Sequence, residues 1–151
     1  MALKDIEDRV DYYDAHIIRE LDGWIKDAIH RDMHLGNLVF DNNRFNGYLD
    51  FDISQKNARI FDICYLGASM LVGNYTDRKK LQAWNEIFRG VIDGYQSINK
   101  LGGNELAASH MMFVLIEVIF AAFFAQLNQL DVSKSCVEMT NWLYEKNSLT
   151  R

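Results

Sequence analysis

Residues 28–53 read AIHRDMHLGNLVFDNNRFNGYLDFDI, and the rest of the chain is organised around them. The stretch keeps no helical period. It is rich in turn residues, with Gly36, Asn37, Asn42, Asn43, Asn46 and Gly47. Residues 38–40 and 48–51 are short β-prone runs separated by a polar segment. That order predicts a β-hairpin closed by a loop of about six residues.

Outward from the hairpin the pattern turns helical. Over residues 3–25, Ile6, Val10, Tyr13, Ile17, Leu21 and Trp24 recur at spacings of three and four, the apolar stripe of an amphipathic helix. Downstream, residues 60–71 predict a short helix. Thr76 or Asp77 can cap the next one, which carries Leu81, Trp84, Phe88, Val91, Ile92 and Tyr95 on one face. Gly102 and Gly103 end it or lie in the loop beyond. Asn104 can cap a long apolar helix over 105–130, in which Met111, Met112 and the cluster 120–124 read as core, as does Cys64. A last helix over about 133–146 groups Cys136, Met139 and Leu143. The expected fold class is mainly α with a small β-hairpin (α+β). It forms a single domain over 1–151: helix over 1–29, loop and hairpin over 30–53, helical part over 58–151.

Composition narrows the function classes. With 151 residues, 49% hydrophobic and 25% charged, the chain can bury a core without disulfides or metals. The net charge of −5 argues against a nucleic-acid-binding surface. Cys64 and Cys136 sit in apolar company with no CxxC spacing, as buried reduced thiols of a cytoplasmic protein do. The charge-dense residues 1–14 do not read as a signal peptide. Proline is absent, in keeping with a helical chain. Residues 111–125 are apolar except for Glu117, shorter than the roughly 20 residues that span a bilayer and interrupted by a costly carboxylate. No membrane partner is expected.

The chemistry-bearing side chains crowd into the non-helical stretch. His30, Asp32, His34, Asn37, Asp50 and Asp52 all fall there. His30-Arg31-Asp32 followed by Asn37 has the form H-R-D-x-x-x-x-N, and Asp50-Phe51-Asp52 closes the hairpin. This is the arrangement of a protein-kinase catalytic loop and its metal-binding Asp. Phosphoryl transfer needs a carboxylate to orient the attacking hydroxyl and accept its proton. It also needs oxygen ligands that hold Mg²⁺ against nucleotide phosphates. A loop supplies the carboxylate and the Asn amide, and a hairpin returns a second carboxylate beside them. A transition-metal site built on His30-x-Asp32-x-His34 competes, but it lacks further His ligands, since His16 and His110 lie in helical patterns.

Residues 28–71 resemble the aminoglycoside phosphotransferase / choline kinase-like family, whose pattern is H-G-D-x-H-x-x-N, then I-D-[FW]-[DE], then D-[LI]-[AC]. His30, Asp32, His34, Asn37, Asp50, Phe51, Asp52, Asp62 and Ile63 match it. Arg31 stands where the family has Gly, and Leu35 where it often has Pro. The resemblance implies the protein-kinase-like C-terminal lobe. It implies Asp32 as catalytic base and His30 as the residue that braces the loop. It also implies Asn37 and Asp50 as Mg²⁺ ligands with Asp52 assisting, and Asp62 and His34 in support of the loop. The implied reaction moves the γ-phosphoryl group of ATP to a small-molecule hydroxyl (an aminoglycoside, choline, homoserine or similar), with Mg²⁺ and ATP as cofactors.

Enzymes of this kind place a second lobe ahead of the catalytic loop, with a phosphate-covering loop and a Lys–Glu pair. Residues 1–29 hold one predicted helix, a single glycine (Gly23), and no strand with a Lys in a V-A-I-K-like context, Lys4 and Lys26 reading as helical or helix-end. The expectation is therefore a chain without the N-terminal lobe, with no nucleotide-base ligands of its own and inactive in isolation. Its exposed inter-lobe face is expected to favour a homodimer. The alternative is a non-catalytic, pseudokinase-like relic or interaction domain.

Overall fold

The computed structural model describes residues 26–146. The predicted helix over 3–25 lies outside them, and residues 26–29, expected at the end of that helix, form a strand instead, because they pair with residues 55–58. Two small antiparallel ribbons come first. Strand β1 (Lys26–Ile29) pairs with β4 (Gln55–Ala58), with Ile29 opposite Gln55 and Asp27 opposite Asn57. Between them, β2 (Leu38–Asp41) pairs with β3 (Arg44–Tyr48). Helices α1 (Ile60–Leu71), α2 (Arg78–Ile98), α3 (Gly103–Gln126) and α4 (Leu130–Glu145) follow.

The hairpin is tighter than expected. The turn is the pair Asn42–Asn43, with φ of +46° and +61°, not a loop of about six residues. Asn tolerates the left-handed region, and two such residues give the turn whose twist matches antiparallel strands. The second strand is 44–48 rather than 48–51, and a bulge lies between Val39 and Phe40. Residues 49–51 leave the ladder and curl towards the loop after β1. The β1–β4 ribbon was not anticipated, because KDAI and QKNA lack both alternation and β-branched weight.

The helical part follows its apolar stripes. Helix α1 has the expected bounds. Asp77 caps α2, its carboxylate accepting from the backbone N–H of Lys79 (2.8 Å) and Lys80 (3.1 Å). Trp84 and Phe88 stack and meet Phe113 edge-on beneath Gly67, and the Trp84 indole donates to the Gly67 carbonyl (2.8 Å). A Cβ at Gly67 would lie 2.7 Å from the Phe88 ring, so the α1–α2–α3 crossing requires glycine there. Asn104 does not cap α3. Gly102 occupies the cap position, and Glu105 reaches back to its N–H (2.7 Å).

Helix α3 packs against α1 and α4 and buries Met112, Phe113, Val114 and Ile116. By length and composition alone it is long and apolar enough to cross a membrane, because its first turns extend the apolar run beyond 111–125. It stops at Gln126 rather than 130, where Asn128 takes a φ of +58°. Cys136, Met139 and Leu143 of α4 are buried together, and both cysteines are free. Phe123, expected in the core, is 49% exposed, because its side of α3 lines an open groove.

Candidate active site

The loop between β1 and β2 is held at three points. The Asp62 carboxylate, in the first turn of α1, accepts from the backbone N–H of His30 (2.7 Å) and Arg31 (2.8 Å). Burial pushes this carboxyl up, and the two N–H bonds pull it back down. Next, the His30 ring is buried between two backbone groups. Its Nδ1 accepts from the Asp32 N–H (3.3 Å) and its Nε2 meets the Leu49 carbonyl (2.6 Å). Only the neutral ring with its proton on Nε2 satisfies both. Third, Leu49 N–H donates to the Asn37 carbonyl (2.9 Å), tying the end of the hairpin to the loop. That bond delivers Asp50 and Asp52 to the same end of the molecule.

Asp62→Asn tests this scaffold. An amide can accept one backbone N–H but opposes the other, so stability should fall by about 1–3 kcal/mol. Amide hydrogen exchange at His30 and Arg31 should quicken at least about tenfold. Unchanged protection at both amides would contradict the bracing role.

Backbone strain marks the same region. Arg31 has a φ of +72° and Asp50 a φ of +59°. The left-handed region costs a residue with a Cβ about 1 kcal/mol or more, which accounts for the glycine of the family pattern at position 31. Gly36 is also constrained. A Cβ there would lie 2.8 Å from the His34 ring, whose Nδ1 accepts the Gly36 N–H (3.0 Å).

Asp32 sits at the centre. Its Oδ1 accepts from the Tyr65 hydroxyl (2.8 Å). Its Oδ2 accepts from Asn37 Nδ2 (3.1 Å) and lies 3.5 Å from His34 Nε2. Asn37 Nδ2 also donates to the Asp32 carbonyl (2.9 Å), so the amide nitrogen is spent on Asp32 and the amide oxygen is not. Burial, then the Asp32 carboxylate, push the Tyr65 hydroxyl up, which keeps it a donor. Asp50 and Asp52 are exposed and make no hydrogen bond or ion pair to another described residue.

The structure therefore gathers His30, Asp32, His34, Asn37 and Asp62 into one hydrogen-bonded unit and leaves Asp50 and Asp52 at its edge. It adds Tyr65, which the sequence reading passed over. The available signal was its position three residues after Asp62, on the same face of α1. Both His30 nitrogens are engaged by the backbone, so the transition-metal reading of His30-x-Asp32-x-His34 fails on geometry. Among the described residues no three His, Cys, Asp or Glu side chains converge on one point.

One cavity opens on Asp32 and another on its neighbours His34 and Tyr65. The larger, about 550 Å³, is lined by Arg31, Asp32, Ile53, Tyr65, Ile119 and Phe123 among others. The smaller, about 410 Å³, runs from His34 and Tyr65 to Glu117 and Cys136. The family model described as the phosphotransferase enzyme family (APH) matches residues 3–97, well over half of the chain. The chain belongs to that family. In this phosphotransferase-family protein the match takes in the whole loop, the hairpin and α1, and runs into α2. Helices α3 and α4 lie beyond it. Among curated proteins and among solved structures, none matches the chain.

Proposed function

We propose that this chain carries the acceptor-activating and metal-binding part of a site that transfers the γ-phosphoryl group of ATP to a small-molecule hydroxyl. The observation that carries the reading is the Asp32 carboxylate, held by Asn37, Tyr65 and His34 at the edge of the larger cavity. A carboxylate oxygen has more than one lone pair, so Asp32 can accept an acceptor hydroxyl while keeping Tyr65 and Asn37. In the transfer, the acceptor oxygen forms a bond to the γ-phosphorus and the bond from that phosphorus to the β,γ-bridging oxygen breaks. ADP leaves with the electron pair, and Asp32 takes the hydroxyl proton.

The donor set suits Mg²⁺. This ion is bound by one or two protein oxygens, with phosphates and water filling the octahedron. The Asn37 amide oxygen and the Asp50 carboxylate are two such oxygens, with Asp52 close in sequence to reinforce them. When bound, Mg²⁺ neutralises charge on the phosphates. His30 and Asp62 act on the loop's geometry and touch no substrate.

The first test is melting temperature with and without millimolar Mg²⁺ and ATP, for the wild type and Asp50→Asn. Asn suits the left-handed backbone at position 50, so the variant removes charge without straining the turn. Ligand at about a hundred times its Kd adds about 2.7 kcal/mol, a rise of several degrees for a chain of this size. The rise should require Mg²⁺ and vanish in the variant. No rise, or one that survives Asp50→Asn, would overturn the reading. The second reading, an interaction module, draws on the hairpin's exposed aromatic face of Phe40, Phe45, Tyr48 and Phe51. It predicts no response to Mg²⁺ and ATP. The phosphotransferase reading also carries a cytoplasmic location and a homodimer through the exposed inter-lobe face.

A further inference from the structure

Hairpin β2–β3 carries the one Asn–Gly step of the sequence, Asn46-Gly47, and places it at the irregularity of the ladder. Val39 lies opposite Gly47 and Phe40 opposite Phe45, so Asn46 is the extra residue of the bulge, with no partner across the ladder. Asn46 is exposed, and its carboxamide makes no hydrogen bond to another described residue. Nearby asparagines differ. The Asn42 carboxamide donates to Asp41 (3.0 Å), and the Asn57 carboxamide accepts from the Ala58 N–H (2.8 Å). Every other asparagine among the described residues precedes a residue with a Cβ. At Gly47 a Cβ would meet nothing within 4 Å, so that side of the backbone is open space. Among the described residues this sheet has two strands only. A two-stranded hairpin is marginally stable by itself, so it opens locally and frees the Gly47 nitrogen.

We propose that Asn46 is a modification site, where the side chain closes on the next amide and becomes isoaspartate or aspartate, and that the isoaspartate loosens the hairpin's tie to the loop after β1. The Gly47 amide nitrogen gives its proton to water or hydroxide and attacks Asn46 Cγ. A bond forms between the two, the Cγ–Nδ2 bond breaks, and ammonia leaves with the electron pair and a proton from water. Water then adds to one carbonyl of the cyclic imide, and the ring bond from that carbon to nitrogen breaks. Opening at Cγ gives aspartate. Opening at the backbone carbonyl gives isoaspartate, in which the chain runs through Cβ and Cγ and gains one backbone atom. Water is the only co-reactant. Glycine favours the closure because it has no Cβ to crowd the attacking nitrogen. The extra atom enters β3 ahead of Leu49, whose N–H donates to the Asn37 carbonyl (2.9 Å). A longer strand shifts that donor along the ladder, so the change acts on Asp50 and Asp52 from outside the site.

The test is to age the full chain at mildly alkaline pH, folded and in urea, and follow each asparagine by peptide mass spectrometry. Enzymatic methylation counts the isoaspartate. Asn46 should convert ahead of every other asparagine of residues 26–146. Its rate in the folded chain should stay within about tenfold of its rate in urea, which corresponds to an opening cost of about 1.4 kcal/mol or less. Gly47→Ala should slow the conversion about tenfold or more. The open space at position 47 admits the methyl group, and an unchanged melting temperature verifies that the variant folds. Hydrogen exchange at the Leu49 amide should quicken at least about threefold in the isoaspartate form. Freshly prepared Asn46→Asp, which adds the charge without the extra backbone atom, should leave that amide protected. Conversion led by another of these asparagines, a folded-chain rate below the tenfold bound, or a rate indifferent to Gly47→Ala overturns the proposal. So does a Leu49 amide as protected in the isoaspartate form as in the unmodified chain.

Discussion

Arg59→Met is expected to lower the free energy of unfolding by about 3–5 kcal/mol, the cost of leaving the partner of a buried ion pair uncompensated. Arg59 precedes α1, and its guanidinium grips Glu105 at the start of α3 through two bonds, Nε to Oε1 (2.9 Å) and Nη2 to Oε2 (2.8 Å). Nη2 also donates to the Lys100 carbonyl. Both side chains are buried. The Arg59 hydrogen bonds and charge hold the Glu105 carboxyl below its ordinary range, against burial. In Arg59→Met the Glu105 carboxylate keeps only the Gly102 N–H. Adding Glu105→Leu should recover most of the loss, leaving about 1 kcal/mol for the missing cap. Urea denaturation of the wild type, both single variants and the double variant gives the coupling directly. Additive losses would contradict the pairing.

Glu117→Gln is expected to change how stability depends on pH. Burial pushes the Glu117 carboxyl up from 4.5 to about 7, with the Cys136 thiol pulling slightly the other way. In the unfolded chain the group loses its proton near pH 4.5, while in the folded chain it holds the proton until about pH 7. Between those values the folded state binds more protons, so stability falls as pH rises and levels off above pH 7. The wild type should therefore lose about 3 kcal/mol between pH 4 and pH 8 that Glu117→Gln keeps. The groups whose charge or hydrogen bonds couple to Glu117 are Cys136, Tyr65 and Tyr75. All three are raised, so they stay neutral across this window and the difference isolates Glu117. Parallel stability curves for the two proteins would show that Glu117 is ionised at no cost in the folded chain.

The sequence reading succeeded where a local rule decides the outcome. Asp77 caps α2 because a carboxylate ahead of a helix finds free N–H groups within three residues. Helix α1 starts and stops where its apolar pattern does. The catalytic-loop spacing carried the family, and the structure places Asp32, Asn37 and His30 in one hydrogen-bonded unit. The misses share a cause. Strands β1 and β4 pair across residues 30–54, and neither KDAI nor QKNA carries a pattern that announces it. Glu105, Arg59 and Glu117 act through partners on other helices. The carboxylate of Glu117 read only as an interruption in an apolar run. Its place at the end of a cavity depends on how α1, α3 and α4 meet, which no single segment encodes. Phe123 failed in the opposite sense, as an aromatic in an apolar cluster whose side of α3 is left open.

On the proposed function, Asn37 and Asp50 hold a divalent cation that carries nucleotide phosphates beside Asp32. Manganese substitutes for magnesium at oxygen ligands and broadens nearby nuclear magnetic resonances. Spectra of the isotope-labelled chain, recorded as Mn²⁺ and ATP are added together, show where the cation sits. Selective broadening is expected of the Asn37 side-chain amide and of backbone amides around 32–37 and 48–52, with α4 unaffected. That broadening should be lost in Asp50→Asn. Broadening centred elsewhere, or undiminished in the variant, would contradict it.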